Sequence, residues 1–187
     1  MRHIWNPEDG VTWNQVLDAA PCVHCDLPAA MVYKDLMWFM AGWQGGRDPS
    51  ADAGSEVWYS QNGKNWACAT KDAAWGKRMS LGGVVFNNKM WILGGTRHYF
   101  NGNQYLLNDV WCSENGKDWD LVTDNAPWAP RAHHVAIVFN NKIYVMGGGS
   151  YWPVYHGHND VWCSENGRDW NLVKDRAAGR KGCGSHP

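Results

Sequence analysis

Two clusters of thiol and imidazole groups stand far apart in this chain: Cys22-Val23-His24-Cys25 near the start and Cys183-Gly184-Ser185-His186 at the end. A C-x-x-C paired with a distant C-x-x-H has the ligand types and spacing of a Cys3His zinc site. Cys22, Cys25, Cys183 and His186 are therefore candidate ligands of a structural zinc, the one cofactor the sequence suggests. The same thiols could instead form a Cys22–Cys25 or an intermolecular disulfide, or have neither role. A second set of residues mixes aromatic rings with cations and imidazoles: Trp43 and Arg47, then Arg97, His98, Tyr99 and Tyr105, then Tyr151, Trp152, Tyr155, His156 and His158. Such mixtures pair apolar area with directional donors, which suits a sugar face or a peptide side chain. Packing on neighbouring structure would explain them too. No nucleophile, base and acid recur or cluster among them, so no catalytic residue is assigned.

The elements that must position these groups follow from an internal repeat. Val57-Trp58-Tyr59-Ser60-Gln61-Asn62-Gly63 returns as Val110-Trp111-Cys112-Ser113-Glu114-Asn115-Gly116 and as Val161-Trp162-Cys163-Ser164-Glu165-Asn166-Gly167, at steps of 53 and 51 residues. A weaker copy, Ile4-Trp5 to Trp13, lies 53 residues upstream of the first. A period near 50 residues marks a modular β architecture.

Each period reads as four strands. In the clearest, His134–Phe139 is an apolar strand A, and Asn140-Asn141 turns the chain because asparagine tolerates positive φ. Lys142–Met146 is strand B, stopped by Gly147-Gly148-Gly149. Asn159–Ser164 is strand C, Asn166-Gly167 signals a type I′ hairpin, and Asp169–Val173 is strand D. Four antiparallel strands per repeat make one propeller blade, so the fold class is all-β. The expected organisation is a C–D hairpin over 1–17, blades over 18–70, 71–123 and 124–174, and a tail over 175–187. Cys112 and Cys163 share the face of Val110 and Val161, which predicts buried thiols.

A strand closed by Gly-Gly, a variable loop, Asn-Asp-Val-Trp, a tryptophan near the blade's end and the lead-in Pro130-Arg131-Ala132-His133-His134 together resemble the kelch repeat. The Ser-x-Asn-Gly-x-x-Trp turn also looks like a shortened Asp-box. The resemblance implies a kelch-type β-propeller from about residue 4 to 175, with a mostly structural role for His134. Kelch propellers include galactose-oxidase-like copper enzymes and sugar epimerases, so the resemblance also admits a carbohydrate-active enzyme: a sugar oxidase, an epimerase or a sialidase-like hydrolase. Tyrosines and histidines are present for copper chemistry without a matching motif, and Arg47, Arg78, Arg97 and Arg131 without an assignable acid or tyrosine. Fold alone does not choose a function.

Three blades and a hairpin leave two open edges. The expected completion is a second copy, giving a six- or seven-bladed ring, or a place within a longer propeller. In an up-and-down meander the A–B and C–D turns fall on one face and the long connections on the other, over 43–55, 96–107 and 150–158. That second face is the expected site for a protein or glycan, since ligands are held on loops over a rigid scaffold. With a net charge of −1 the chain has no basic footprint for nucleic acid. No apolar run approaches the roughly 18 residues of a membrane span. The N-terminus reads without a signal peptide, which predicts a cytoplasmic protein by default, or an extracellular one if the chain is a processed piece. The best reading is a non-catalytic binding or assembly module.

Overall fold

A computed structural model describes residues 3–23, 26–43, 53–97, 105–150, 154 and 156–177. All regular structure among them is β. A hairpin of β1 (Ile4–Pro7) and β2 (Trp13–Leu17) comes first. Blade 1 is β3 (Ala29–Tyr33), β4 (Leu36–Met40), β5 (Val57–Ser60) and β6 (Trp66–Thr70), hydrogen-bonded in that order. Blade 2 is β7 (Gly82–Phe86), β8 (Lys89–Arg97), β9 (Tyr105–Ser113) and β10 (Asp120–Thr123). Blade 3 is β11 (Val135–Phe139) and β12 (Lys142–Met146), then β15 (Val161–Ser164) and β16 (Trp170–Lys174), with a small ladder of β13 (Gly149–Ser150) and β14 (His156–Gly157) between them. No helix among the described residues is long and apolar enough to cross a membrane.

The A–B turns behave as their sequence demands. Asn87 and Asn88, like Asn140 and Asn141, both take positive φ, between 46° and 55°. Blade 1 reaches the same geometry with Lys34 and Asp35. The C–D turns differ from expectation. Only the glycine of each Asn-Gly pair has positive φ (Gly116 and Gly167, both 74°), so these are not two-residue type I′ turns. Hydrogen bonding explains the wider loop. The Ser164 hydroxyl accepts from the Gly167 N–H at 2.8 Å, while Asn166 Oδ1 accepts from the N–H groups of Arg168 and Asp169 at 2.9 and 2.8 Å. Ser113 with Asn115 and Ser60 with Asn62 repeat the pattern. Side chains thus satisfy the backbone that a tighter turn would have paired.

The cores lie between blades rather than within them. One joins Trp38, Met40 and Val57 of blade 1 to Trp75, Met90, Ile92 and Trp119 of blade 2. The next joins Val84, Phe86 and Leu93 of blade 2 to Ile143, Val145 and Trp170 of blade 3. A backbone rail runs along the inner edge. Leu27, Ser80 and His133 hold equivalent positions at φ 55–56°; the Ser80 N–H donates to the Leu27 carbonyl at 2.9 Å, and the His133 N–H to the Ser80 carbonyl at 3.0 Å.

On the outer side, each blade seats its C–D turn on the strand-B tryptophan of the blade before. A Cβ at Gly116 would lie 2.2 Å from the Trp38 ring, and one at Gly167 2.2 Å from Trp91. Neither ring can give way freely, because their Nε1–H groups donate to the carbonyls of Tyr33 (3.0 Å) and Phe86 (2.8 Å). Gly10, the equivalent turn glycine of the hairpin, also has positive φ but meets nothing within 4 Å. Gly167→Ala should therefore lower the unfolding free energy by about 1–2 kcal/mol for the left-handed backbone and a further ~1–3 kcal/mol for overpacking. Gly10→Ala should stay within about 1–2 kcal/mol of the parent. Urea unfolding of the two variants checks this; equal losses would show that the Trp91 contact is not what constrains the turn.

Candidate functional site

The long connections share one face, and their roots are fixed by ion pairs at equivalent places in blades 2 and 3. Arg131, fully buried, donates from Nη1 and Nη2 to both oxygens of Asp160 at 2.7 and 2.9 Å, from Nη1 to the Gly147 carbonyl at 3.0 Å and from Nε to the Ala129 carbonyl at 3.0 Å. Trp162 Nε1–H donates to Asp160 Oδ2 at 2.8 Å. Arg78 repeats this with Asp109 (2.7 and 2.9 Å) and the carbonyls of Gly94 and Trp75, and Trp111 donates to Asp109 at 2.7 Å. Burial pushes the Asp160 carboxyl up, but hydrogen bonds from Arg131 and Trp162 and the Arg131 charge outweigh it, leaving the group below the usual carboxylate range.

The loops above these roots are more ordered by strand pairing than their composition predicts. Beyond a bulge at Gly94-Gly95, β8 and β9 continue pairing through Thr96↔Leu106 to Arg97↔Tyr105, where the sequence predicts loop over 96–107. The loop over 150–158 carries the β13–β14 ladder, pairing Ser150 with His156. Backbone amides with an antiparallel neighbour in reach stay paired, whatever their side chains. Trp43 bridges Asp26 and Ala53 through its backbone.

Among the expected ligand contacts, Arg97 donates from Nη2 to the Trp75 carbonyl at 3.0 Å and lies over Gly76, so part of its donor capacity serves the blade 2 lead-in. Tyr105, its cross-strand partner, is exposed. His156 and His158 meet edge to face with ring centroids 5.1 Å apart. Burial and then the Arg131 charge lower the His158 pKa below the ordinary histidine value, with Asp160 opposing, so its imidazole is neutral at pH 7. Arg47, His98, Tyr99, Tyr151, Trp152 and Tyr155 lie outside the described residues, as do Cys25, Cys183 and His186 of the expected zinc set. Cys22 is buried, and no group of three or more metal-ligating side chains occurs among the described residues. Cys112 and Cys163 are buried and unbridged.

His134 is buried beneath this face. Its ring lies 6.0 Å from Trp128, and a Cβ on Gly82 of blade 2 would come within 2.7 Å of its Nε2. Sequence reasoning passed over a different place. A concavity of about 340 Å3 opens at the C–D turn of blade 1, on the tight-turn face, between Leu36, Tyr59, Gln61, Asn65 and Ala67. Its signal is visible in the sequence as departures of blade 1 from its two copies.

The comparisons with known proteins agree with this geometry. The family model for the kelch motif matches residues 130–163. The solved structure of YjhT, a kelch-type β-propeller, superposes with a TM-score of 0.70 over 90% of this chain, at 12% sequence identity. No curated protein matches the sequence. The chain is a partial kelch-like β-propeller. It spans 57% of the YjhT chain, and at that identity the likeness speaks for the fold alone.

Burial drives the His134 pKa down to about 3, with the Arg131 and His133 charges adding to it, so the folded protein holds this ring neutral. The unfolded chain takes up the proton near pH 6.5. The ring's contribution is therefore present above pH 6.5 and is lost as pH falls from there towards about 3, at about 1.4 kcal/mol per pH unit. Blade 2 carries Leu81 at this position. Urea unfolding at pH 7, 6 and 5 should show the stability of His134→Leu falling less steeply than that of the parent, by roughly that slope. Parallel curves would mean that His134 is solvated or charged in the folded state.

Proposed function

We propose that this chain is a non-catalytic binding and assembly module, a half-propeller closed into a ring by a second copy, with the long-loop face holding a protein or glycan. One observation carries the assembly. Equivalent positions on the forward face of strand A are Ala29, Met31 and Tyr33 in blade 1, Gly82, Val84 and Phe86 in blade 2, and Val135, Ile137 and Phe139 in blade 3. In blades 1 and 2 these side chains pack under the next blade, with Ala29, Tyr33, Val84 and Phe86 at 3–7% exposure and Met31 half-buried, whereas Val135, Ile137 and Phe139 stand 55%, 46% and 61% exposed. The rear face of blade 1 is open in the same way, through Val32 and Met37, where the counterparts of Met37 in the later blades, Met90 and Ile143, are fully buried.

The two open faces are complementary by construction. Blade 1 of a second copy offers blade 3 the positions that blade 3 itself offers blade 2. Such a head-to-tail contact, used twice about a two-fold axis, closes six blades. The hairpin β1–β2, a separate two-stranded sheet that meets blade 1 through Ile4 and Val16 near Gly63, has to move outwards to admit the partner's third blade. On the loop face, exposed Tyr105 and the His156–His158 pair offer an aromatic surface beside imidazole donors and acceptors.

The coverage of YjhT supports a second reading of the same faces, in which further blades of one longer polypeptide cover them. Light scattering over a range of concentrations separates the two. The 21.1 kDa chain should run at twice that mass, and Ile137→Asp should return it to a monomer. A cooperatively folded monomer at every concentration would overturn self-closure and leave the longer ring.

A further inference from the structure

Blades 2 and 3 close the outer corner of the C–D turn with charge. Lys89 pairs with Glu114 at 3.0 Å, and Lys142 with Glu165 at 2.9 Å, each bridging strand B to the turn. A second bond backs each pair: Asn115 Nδ2 donates to the Asp118 carboxylate at 2.9 Å, and Asn166 Nδ2 to Asp169 at 2.8 Å. Blade 1 replaces every ionised member of this set. Leu36 stands at the lysine position, Gln61 at the glutamate and Asn65 at the aspartate. Ala67 stands where the later blades carry Asp120 and Asn171, and Tyr59 where they carry Cys112 and Cys163.

The loop backbone survives these exchanges. Asn62 Oδ1 still accepts from the N–H groups of Lys64 and Asn65 at 3.0 and 2.8 Å, and Ser60 still accepts from Gly63 at 2.9 Å. The change is therefore confined to what the turn presents. With the ion pair gone and the strand D side chain cut back to Ala67, the concavity of about 340 Å3 opens there. Tyr59 forms one wall, braced by the Trp38 ring at 5.1 Å and 33°, and Trp38 is itself held under Gly116 of blade 2. The Asn62 carboxamide N–H groups, which in the copies serve a carboxylate, make no hydrogen bond to any described residue. The Gln61 amide and the Tyr59 hydroxyl make none either. A rigid aromatic wall with its own uncommitted hydroxyl thus shares a site of small-ligand volume with two uncommitted carboxamides.

The chemistry of a ligand follows. No lining side chain is charged at neutral pH, so neither a phosphate nor a carboxylate finds a cation, and an amine finds no counter-ion. A pyranose has the complementary make-up: a C–H face for the aromatic wall and hydroxyls that both donate to and accept from carboxamides. We infer that the C–D turn of blade 1 is a binding site for a neutral saccharide, built around Tyr59, Gln61, Asn62 and Asn65. It lies on the face opposite the long loops and does not depend on what those loops hold.

A glycan array carrying neutral, sialylated and sulfated sugars, probed with the full chain and followed by calorimetric titration of the hits, tests the inference. Neutral glycans should bind in preference to acidic ones. The double variant Leu36→Lys with Gln61→Glu rebuilds the ion pair that blades 2 and 3 already fold around, and it should lose at least tenfold in affinity without a change in melting temperature. Tyr59→Cys, again a residue the copies carry, should lose as much; it serves as the test if the double variant does not fold. Binding that survives both variants but falls in Tyr105→Ala would overturn this site and assign the sugar to the long-loop face. No neutral glycan bound, or acidic glycans alone, would overturn the inference outright.

Discussion

The buried guanidinium of each later blade is the fixture on which the remaining structure depends. Arg131 joins three stretches of chain that are far apart in sequence: its own lead-in, the diglycine after strand B and the aspartate that begins strand C. An arginine withdrawn from water is costly unless its donors are placed, and four bonds from Arg131 meet most of that cost: two to a carboxylate and two to carbonyls, with an indole N–H completing the aspartate. Removing one partner of such a pair leaves a buried charge worth about 3–5 kcal/mol. The Gly147 carbonyl must point at the guanidinium, so Gly147 and Gly148 take positive φ, and the chain leaves the sheet there. Strand C then has to return at Asp160, which fixes where the long loop begins and ends.

Blade 1 carries different residues at these positions. The positions equivalent to Arg78 and Asp109 are Cys25, outside the described residues, and Glu56. Glu56 keeps the bond from the following tryptophan, Trp58 Nε1, at 3.0 Å, and Ser55 donates to Asp72 at 2.9 Å, so the blade retains its strand order. Freed from the repeat at its lead-in, this blade is also the one that departs at its outer turn. Both departures leave the core positions Met40 and Val57 fully buried.

The fold was legible because a repeat states its own alignment. Trp58, Trp111 and Trp162 locate the strands; Asn87-Asn88 and Asn140-Asn141 locate the turns and their handedness. Asn166-Gly167 misled because the local pair is right for a tight hairpin, while the Ser164 hydroxyl and the Asn166 carboxamide together satisfy a wider one. The connection over 96–107 is shorter than its composition predicts for a related reason: pairing of Arg97 with Tyr105 follows from the neighbouring strand, not from either residue's type. The loop residues Arg97, Tyr105, His156 and His158 vary between blades, so nothing in the period constrains their side chains. The blade 1 pocket was legible in principle. Leu36 against Lys89 and Lys142, and Gln61 against Glu114 and Glu165, are differences within an otherwise strict register. The long loops of the opposite face carry the stronger signal, because ligands are more often held on loops over a rigid scaffold.

Because the cores form between blades, the interface rather than the blade is the unit of stability. An array of this kind gains stability mainly from nearest-neighbour contacts. Three blades in an arc share the two cores described, whereas closure gives every blade two neighbours. The rail of Leu27, Ser80 and His133 carries the same message at the backbone: each carbonyl receives the N–H of the next blade, as far as Ser80. The apolar row of Val135, Ile137 and Phe139 occupies the position of a core half, aligned with Ala29, Met31 and Tyr33 of blade 1 and Gly82, Val84 and Phe86 of blade 2. A sequence selected only for an exposed sheet face would place charge there to block strand-edge association. The retained apolar face is therefore the side that the proposed ring closure would cover, as blade 2 covers blade 1 and blade 3 covers blade 2.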